Sequence, residues 1–221
     1  GLFCLLNMSN AVLWVTFAPI TDISSDYFDG ASTTSINMLA LIFQIVYAPG
    51  TLVGVMATKK YGLRDTLIFG GVLNTIGALI RYIATLCRAQ VGPWGAYSLM
   101  MIGQFFGALA QPIYVNLPAT MAADWFAVDE RDIATTIAAL FNPLGAAIGQ
   151  VLPPMLVTQS EDDDNGYVHG MSTLMLSETI LCLVPLLLAI LWFKSKPPTP
   201  PSRSAMMKDS LLEEEVEHQH H

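Results

Sequence analysis

Charge is what this sequence has least of. Asp, Glu, Lys and Arg together make up 13% of its 221 residues, against about 25% in an ordinary soluble domain. Residues 1–21, 66–80 and 95–123 contain none of the four. The composition is 53% apolar, with a mean hydropathy of +0.50. A chain of this length cannot hide so much apolar surface from water, which excludes a soluble fold. Basic residues are few and form no stripe, which excludes a nucleic-acid partner. The three cysteines, Cys4, Cys87 and Cys182, match neither a metal-ligand spacing nor a disulfide framework, and read as small packed side chains. There is no phosphate loop, no nucleophile elbow and no metal-spaced histidine group ahead of the tail. The expectation is therefore no enzyme, no catalytic residue, no metal and no cofactor. No basic stretch precedes residues 1–21 and no small-residue cleavage site follows, so they read as a span and not as a signal peptide. Gly1 begins inside an apolar run without an initiator Met, which reads as a fragment of a longer protein.

What is present is apolar length. A helical span needs roughly 20 apolar residues, and six runs fit: about 1–21, 36–58, 66–86, 95–118, 133–157 and 170–193. The predicted fold class is an all-α membrane protein, with a six-helix transmembrane domain over residues 1–196 embedded in a lipid bilayer. Short links carry the charge: Asp22, Asp26 and Asp29; then Lys59, Lys60, Arg64 and Asp65; then Arg88; then Asp124, Asp129, Glu130, Arg131 and Asp132; and last the acidic run at 161–164. Alternating crossings put Lys59, Lys60, Arg64, Arg131, Lys194, Lys196, Arg203 and Lys208 on one side and leave Arg88 alone on the other. Basic loops remain in the cytoplasm, so both chain ends are expected there, in the plasma membrane or an organelle. Prolines at 197, 198, 200 and 201 cannot continue a helix. Residues 197–221 are expected as a disordered cytoplasmic tail.

A faint repeat runs through the chain. Asp26-Tyr27-Phe28 returns 98 residues later as Asp124-Trp125-Phe126, and Phe43-Gln44 returns as Phe141-Asn142. Three spans separate the copies, and an odd number inverts the second in the membrane. Inverted three-plus-three repeats build the halves of major facilitator transporters. The stretch 111–154, two apolar segments rich in Pro, Gly and amides around a charged hinge, suits helices lining a pathway. Backbone groups freed by Pro and Gly need a cavity or a neighbour at membrane depth.

Candidate site residues are the polar groups inside these runs. Asn10 and Trp14 are four apart and share a face of the first span, with Phe17 close by. Gln104 and Gln111 share a face of the fourth, while Asn142, Gly145, Gly149 and Pro153 form a stripe on the fifth. Lipid offers an amide no partner, so these groups turn inward. Taken singly, each amide is equally explained by an interhelical hydrogen bond, worth about 0.6–2 kcal/mol. Together, an indole and amides fit an organic ammonium, since an indole face attracts a desolvated cation by about 2 kcal/mol. Pairs at Gly50/Gly54, Gly103/Gly107 and Gly145/Gly149 allow close helix approach. Arg81 and Glu178 are the ionisable residues well inside the third and sixth spans. They lie 15 residues after Thr66 and 16 before Lys194, hence about 22–24 Å from the same face of the membrane. Unpaired charge at that depth is costly, so they are expected to pair. Separate snorkelling, or a proton-relay role for Glu178, are the alternatives.

The residues that recur in order also carry a resemblance. They are Asn10-Ala11-Val12-Leu13-Trp14, Tyr61-Gly62-Leu63-Arg64, Leu73-Asn74 with Gly77-Ala78, Gly103-Gln104, Ala110-Gln111, Leu117-Pro118, and Trp125-Phe126 with Glu130. After them come Asn142, Leu144-Gly145, Ile148-Gly149, Leu152-Pro153-Pro154 and Lys194-Ser195-Lys196-Pro197. The chain resembles the feline leukaemia virus subgroup C receptor-related transporters of the major facilitator superfamily. The resemblance implies the N-terminal six-span half of a twelve-span solute carrier that moves choline or ethanolamine, or haem. It further implies that Trp14 and Gln111 cage the ammonium, with Asn10 in the same string, and that a C-terminal half completes the site. Arg64, Arg81, Asn142, Gly145, Gly149 and Glu178 would serve structure or gating. Lys59 and Lys60 stand where the family usually has an Asp, and Pro143 where it has a Gln. The other function class is a half-length, non-transporting interaction module that pairs with a second chain.

Overall fold

The structure is a computed structural model that describes residues 1–158 and 166–194. The acidic run at 161–164 and the tail at 197–221 lie outside the described residues. Among the described residues seven α-helices follow one another: α1 (Leu2–Val15), α2 (Thr21–Tyr27), α3 (Thr33–Leu86), α4 (Arg88–Asn116), α5 (Pro118–Trp125), α6 (Arg131–Leu156) and α7 (Gly166–Trp192), with a 3-10 turn at Ala18–Ile20 between the first two. There is no strand among the described residues.

The helix α3 is 54 residues long, about 80 Å if straight, against a bilayer core of about 30 Å. It is not straight. Gly62 breaks it at φ 84, ψ 172, a backbone region essentially reserved for glycine. The two arms then lie side by side: a Cβ added at either Gly54 or Gly70 would meet Ile113 of α4, at 3.7 and 3.3 Å. The chain therefore reverses at Gly62. Gly92 (φ 75, ψ 170) makes a similar break near the start of α4. These two reversals mark opposite ends of the bundle.

Small residues set the helix spacing. The buried residues of α6 are Ala134, Ala138, Gly145, Gly149 and Pro153, one stripe laid against α1. A Cβ on Gly145 would strike the Met8 carbonyl, and one on Gly149 would come within 2.5 Å of Val15 Cγ2. The second arm of α3 meets α4 backbone to backbone, with a Cβ on Gly77 falling 2.5 Å from the Gly103 carbonyl oxygen. A Cβ on Gly50 would fall 2.7 Å from Pro112. All three predicted glycine pairs thus sit at close helix contacts. The helix α1 packs against α6, α4, α7 and α3 at once, and forms the centre of the bundle.

Outside the packed stripes the surface is apolar. Ile133, Ile137, Leu140, Val151 and Met155 of α6 are exposed, as are Ile45, Leu52, Val53 and Met56 of the first α3 arm. Soluble proteins rarely show such continuous apolar area. By length and composition, five helical segments among the described residues are able to cross a membrane, one of them the doubled-back α3. The chain is a multi-pass helical membrane protein.

Two helices stand where the sequence reading placed only links. Pro19 cannot donate to the carbonyl of Val15, so α1 stops and the chain restarts as α2. Pro118 likewise opens the short α5 after α4. These are the places where the repeat falls: α2 ends on Asp26-Tyr27 and α5 on Asp124-Trp125. The Tyr27 carbonyl accepts from Arg88 Nε and Nη2, at 3.1 and 2.8 Å, at the Gly92 end. The Trp125 ring lies 5.5 Å from that of Phe193 at the Gly62 end. The two copies are therefore at opposite ends, as inversion requires. Link arginines cap the helix termini: Arg64 donates to the carbonyls of Phe193 and Ile190 (2.7 and 3.2 Å), Arg131 to those of Phe126 and Ala123 (3.2 and 3.0 Å). Cations there complement the negative end of the helix dipole.

Candidate functional site

Polar groups run through the apolar bundle in three layers along α1. Nearest the Gly62 end, Asn7 donates to the Ala138 carbonyl (3.1 Å) and accepts from Asn142 Nδ2 (3.0 Å), tying α1 to α6. In the middle layer, Asn10 Nδ2 donates to Asn74 Oδ1 and to the Gly107 carbonyl, both at 2.9 Å. Asn74 Nδ2 in turn reaches Ser9 Oγ and Cys182 Sγ, each at 3.3 Å. Every residue of this layer is buried. Both protons of the Asn10 amide are thus committed inside the bundle, and its Oδ1 is without a partner among the described residues.

The third layer holds the charges. Arg81 Nη2 lies 2.7 Å from Glu178 Oε2, and the two side chains are 0% and 1% exposed. The expected pairing of α3 with α7 is present. Glu178 Oε1 accepts from Thr16 Oγ1 at 2.8 Å. The Arg81 guanidinium stands 5.3 Å from the centre of the Phe17 ring. A Cβ on Gly103 would fall 2.5 Å from Arg81 Cγ, so this charge fits only because α4 has a glycine there. Gln104 Nε2 donates to the Leu13 carbonyl at 3.4 Å.

Trp14 is half-buried and packs against the cluster that includes Phe43, Val46 and Ala108. Gln111 is buried on α4, one turn beyond the Gly107 carbonyl that Asn10 holds. That bond sets the registry of the two antiparallel helices. Trp14 is one turn from it towards the Gly92 end, and Gln111 one turn towards the Gly62 end. Their Cα atoms are therefore offset by about 12 Å along the axis. A cleft of about 640 Å³ lies at the Gly62 end, between the first α3 arm and α4–α5, lined by Thr58, Lys59, Asn116, Thr120 and Asp124 among others. None of the predicted site residues lines it. Asn7, Ser9, Thr16 and Asn74 were not among the predicted residues. Asn74 sits seven residues before Arg81, on the same face, and that spacing was the available signal.

Comparison with known proteins places this geometry. Residues 2–215 match the profile of the Major Facilitator Superfamily. Solute carrier family 49 member A3 of Xenopus tropicalis is 33% identical over 209 residues, covering 93% of this chain and 41% of that protein. The choline/ethanolamine transporter FLVCR2 of Homo sapiens is 29% identical over 209 residues (95% and 38%). FLVCR1 of Felis catus is 29% identical over 203 residues (92% and 35%). The chain spans about two fifths of the length of these relatives. The resemblance seen in the sequence strings is borne out, and the six helical crossings fit an N-terminal half of that fold: the chain belongs to the Major Facilitator Superfamily.

Proposed function

We propose that this chain is the N-terminal half of a membrane transporter that moves a small organic cation of the choline or ethanolamine class. One observation carries the reading. The Asn10–Gly107 bond registers α1 and α4 so that a half-buried indole and a buried amide, the latter without a hydrogen-bond partner among the described residues, flank one level of the bundle. Trp14 supplies a π face for the ammonium, with about 2 kcal/mol of attraction once water is excluded. Gln111 supplies a donor and an acceptor for the hydroxyl or amine at the other end of the substrate. The names of the FLVCR relatives support the substrate class.

The site is half of an enclosure. A second six-span half closes over it, and access alternates as the halves rock against each other. The segregation of Lys and Arg puts the Gly62 end and both termini of residues 1–196 in the cytoplasm, with 197–221 leading into the central loop. Arg64, fixed on the end of α7, holds the cytoplasmic rim. The reading involves no catalytic step and no cofactor. Uptake of labelled choline by the full-length protein tests it: Trp14→Ala raises the KM about 30-fold. Unchanged uptake in that variant defeats the ammonium cage and favours a substrate such as haem, which makes no cation–π demand on Trp14.

A further inference from the structure

The end of α1 is broken and then held from three sides. Pro19 offers no N–H to the Val15 carbonyl, so the helix stops at Val15 and passes through a 3-10 turn. A break of this kind frees carbonyls and lets the last turn pivot. Trp14 sits in that last turn. The Leu13 carbonyl receives Gln104 Nε2 from α4 at 3.4 Å. The Thr16 hydroxyl lies 2.8 Å from Glu178 Oε1, 3.0 Å from the Val12 carbonyl and 3.2 Å from that of Leu13. It has one proton to give, and the carboxylate is the strongest of the three acceptors. The Phe17 ring packs under the Arg81 guanidinium, 5.3 Å away. Thr16, Phe17, Arg81, Gln104 and Glu178 are all buried.

The pair is an expensive way to join α3 to α7. Arg81 Nε and Nη1 have no hydrogen-bond partner among the described residues, and neither does Gln104 Oε1. A buried ion pair with unfilled donors contributes little net stability, and apolar residues of similar volume generally do as well. What such residues could not do is grip Thr16 and Phe17.

We propose that Arg81 and Glu178 are positioning residues for Trp14. Fixed on α3 and α7, they clamp the two residues that follow the α1 break, and so set the height and rotation of the indole against α4. Thr16 is the link: losing its hydroxyl uncouples the indole from the pair while leaving the pair intact. The functional consequence rests on Trp14 being the ammonium-binding residue. The positional claim does not.

The test uses the full-length protein in proteoliposomes and has two arms. In the first, Trp14→Cys is made with Cys87→Ser, and the thiol is titrated with 2-aminoethyl methanethiosulfonate, a small primary ammonium reagent. Thr16→Ser keeps the hydroxyl and leaves the labelling rate unchanged, whereas Thr16→Val shifts it by about threefold or more. Equal rates for Thr, Ser and Val overturn the proposal. In the second arm, with Trp14 present, Thr16→Val raises the KM for choline about fivefold. The maximal rate stays at its wild-type value and Thr16→Ser restores the KM, while the melting temperature falls by a few degrees because Glu178 Oε1 is left without its donor. A purely structural role predicts that lower melting temperature at constant KM, and a constant KM overturns the proposal. If Trp14→Ala leaves choline uptake untouched, the ammonium reading fails instead, and the labelling rates alone decide the positioning claim.

Discussion

Replacing Glu178 with alanine would strand the Arg81 guanidinium at 0% exposure, with Nε and Nη1 already lacking partners. Breaking one side of a buried pair costs about 3–5 kcal/mol, because an uncompensated charge remains. The Thr16 hydroxyl also loses its charged acceptor, a loss that overlaps the first because both act through one carboxylate. For a protein of this size or larger, each kcal/mol lowers the melting temperature by about 2 °C, so the expected drop is about 6–10 °C. Removing both charges, as Arg81→Met with Glu178→Leu, leaves nothing stranded and falls within about 1–2 kcal/mol of wild type. The coupling between the two sites is thus several kcal/mol in the direction of rescue. The assay is size-exclusion of the full-length protein in detergent after heating, read by fluorescence, for Glu178→Ala, for Arg81→Met and Glu178→Leu singly, and for the double. The reasoning is refuted if Glu178→Ala melts within a degree of wild type, or if the double falls as far as the single.

The remaining expectations concern the backbone and the middle layer. Gly149→Ala places a methyl 2.5 Å from Val15 Cγ2 and 3.0 Å from the Val12 carbonyl; overpacking of this kind costs about 1–3 kcal/mol, measurable as a lower melting temperature. Gly62→Ala meets no atom within 4 Å, yet Gly62 has φ +84. Its cost of about 1–3 kcal/mol is conformational, so the same substitution at the helical Gly54, where the nearest atom is 3.7 Å away, should be milder in the same melting assay. Asn10→Ala leaves Asn74 Oδ1 and the Gly107 carbonyl without their donor. It should cost about 1–3 kcal/mol and loosen the α1–α4 registry, seen as faster hydrogen exchange in both helices.

Much of the architecture was legible because a bilayer punishes errors in composition. Charge-free runs and loop charges give the crossings, and counting 1.5 Å per residue put Arg81 and Glu178 at one height. The glycine pairs were legible because nothing else lets backbones touch. The short helices α2 and α5 were not: at 7 and 8 residues each is far shorter than a span, and both fall where the charged links begin. The grip of Glu178 on Thr16 was also hidden, since a threonine in an apolar run ordinarily bonds its own backbone. Asn10 and Trp14 share a face by spacing, but the spacing could not tell that Asn10 spends both protons on Asn74 and Gly107 while Trp14 stays half-buried. The proposed substrate class rests on the electrostatics of one indole, which no periodicity encodes.

The central claim is that a positive charge is recognised at Trp14. Calorimetry on the purified full-length protein can compare choline with 3,3-dimethyl-1-butanol, its uncharged isostere, in wild type and in Trp14→Ala. A cation–π contribution of about 2 kcal/mol corresponds to about 30-fold in affinity. The account predicts that wild type prefers choline by about that factor and that Trp14→Ala loses the preference. Equal affinity for the two compounds in wild type, or a preference that survives in Trp14→Ala, would contradict it.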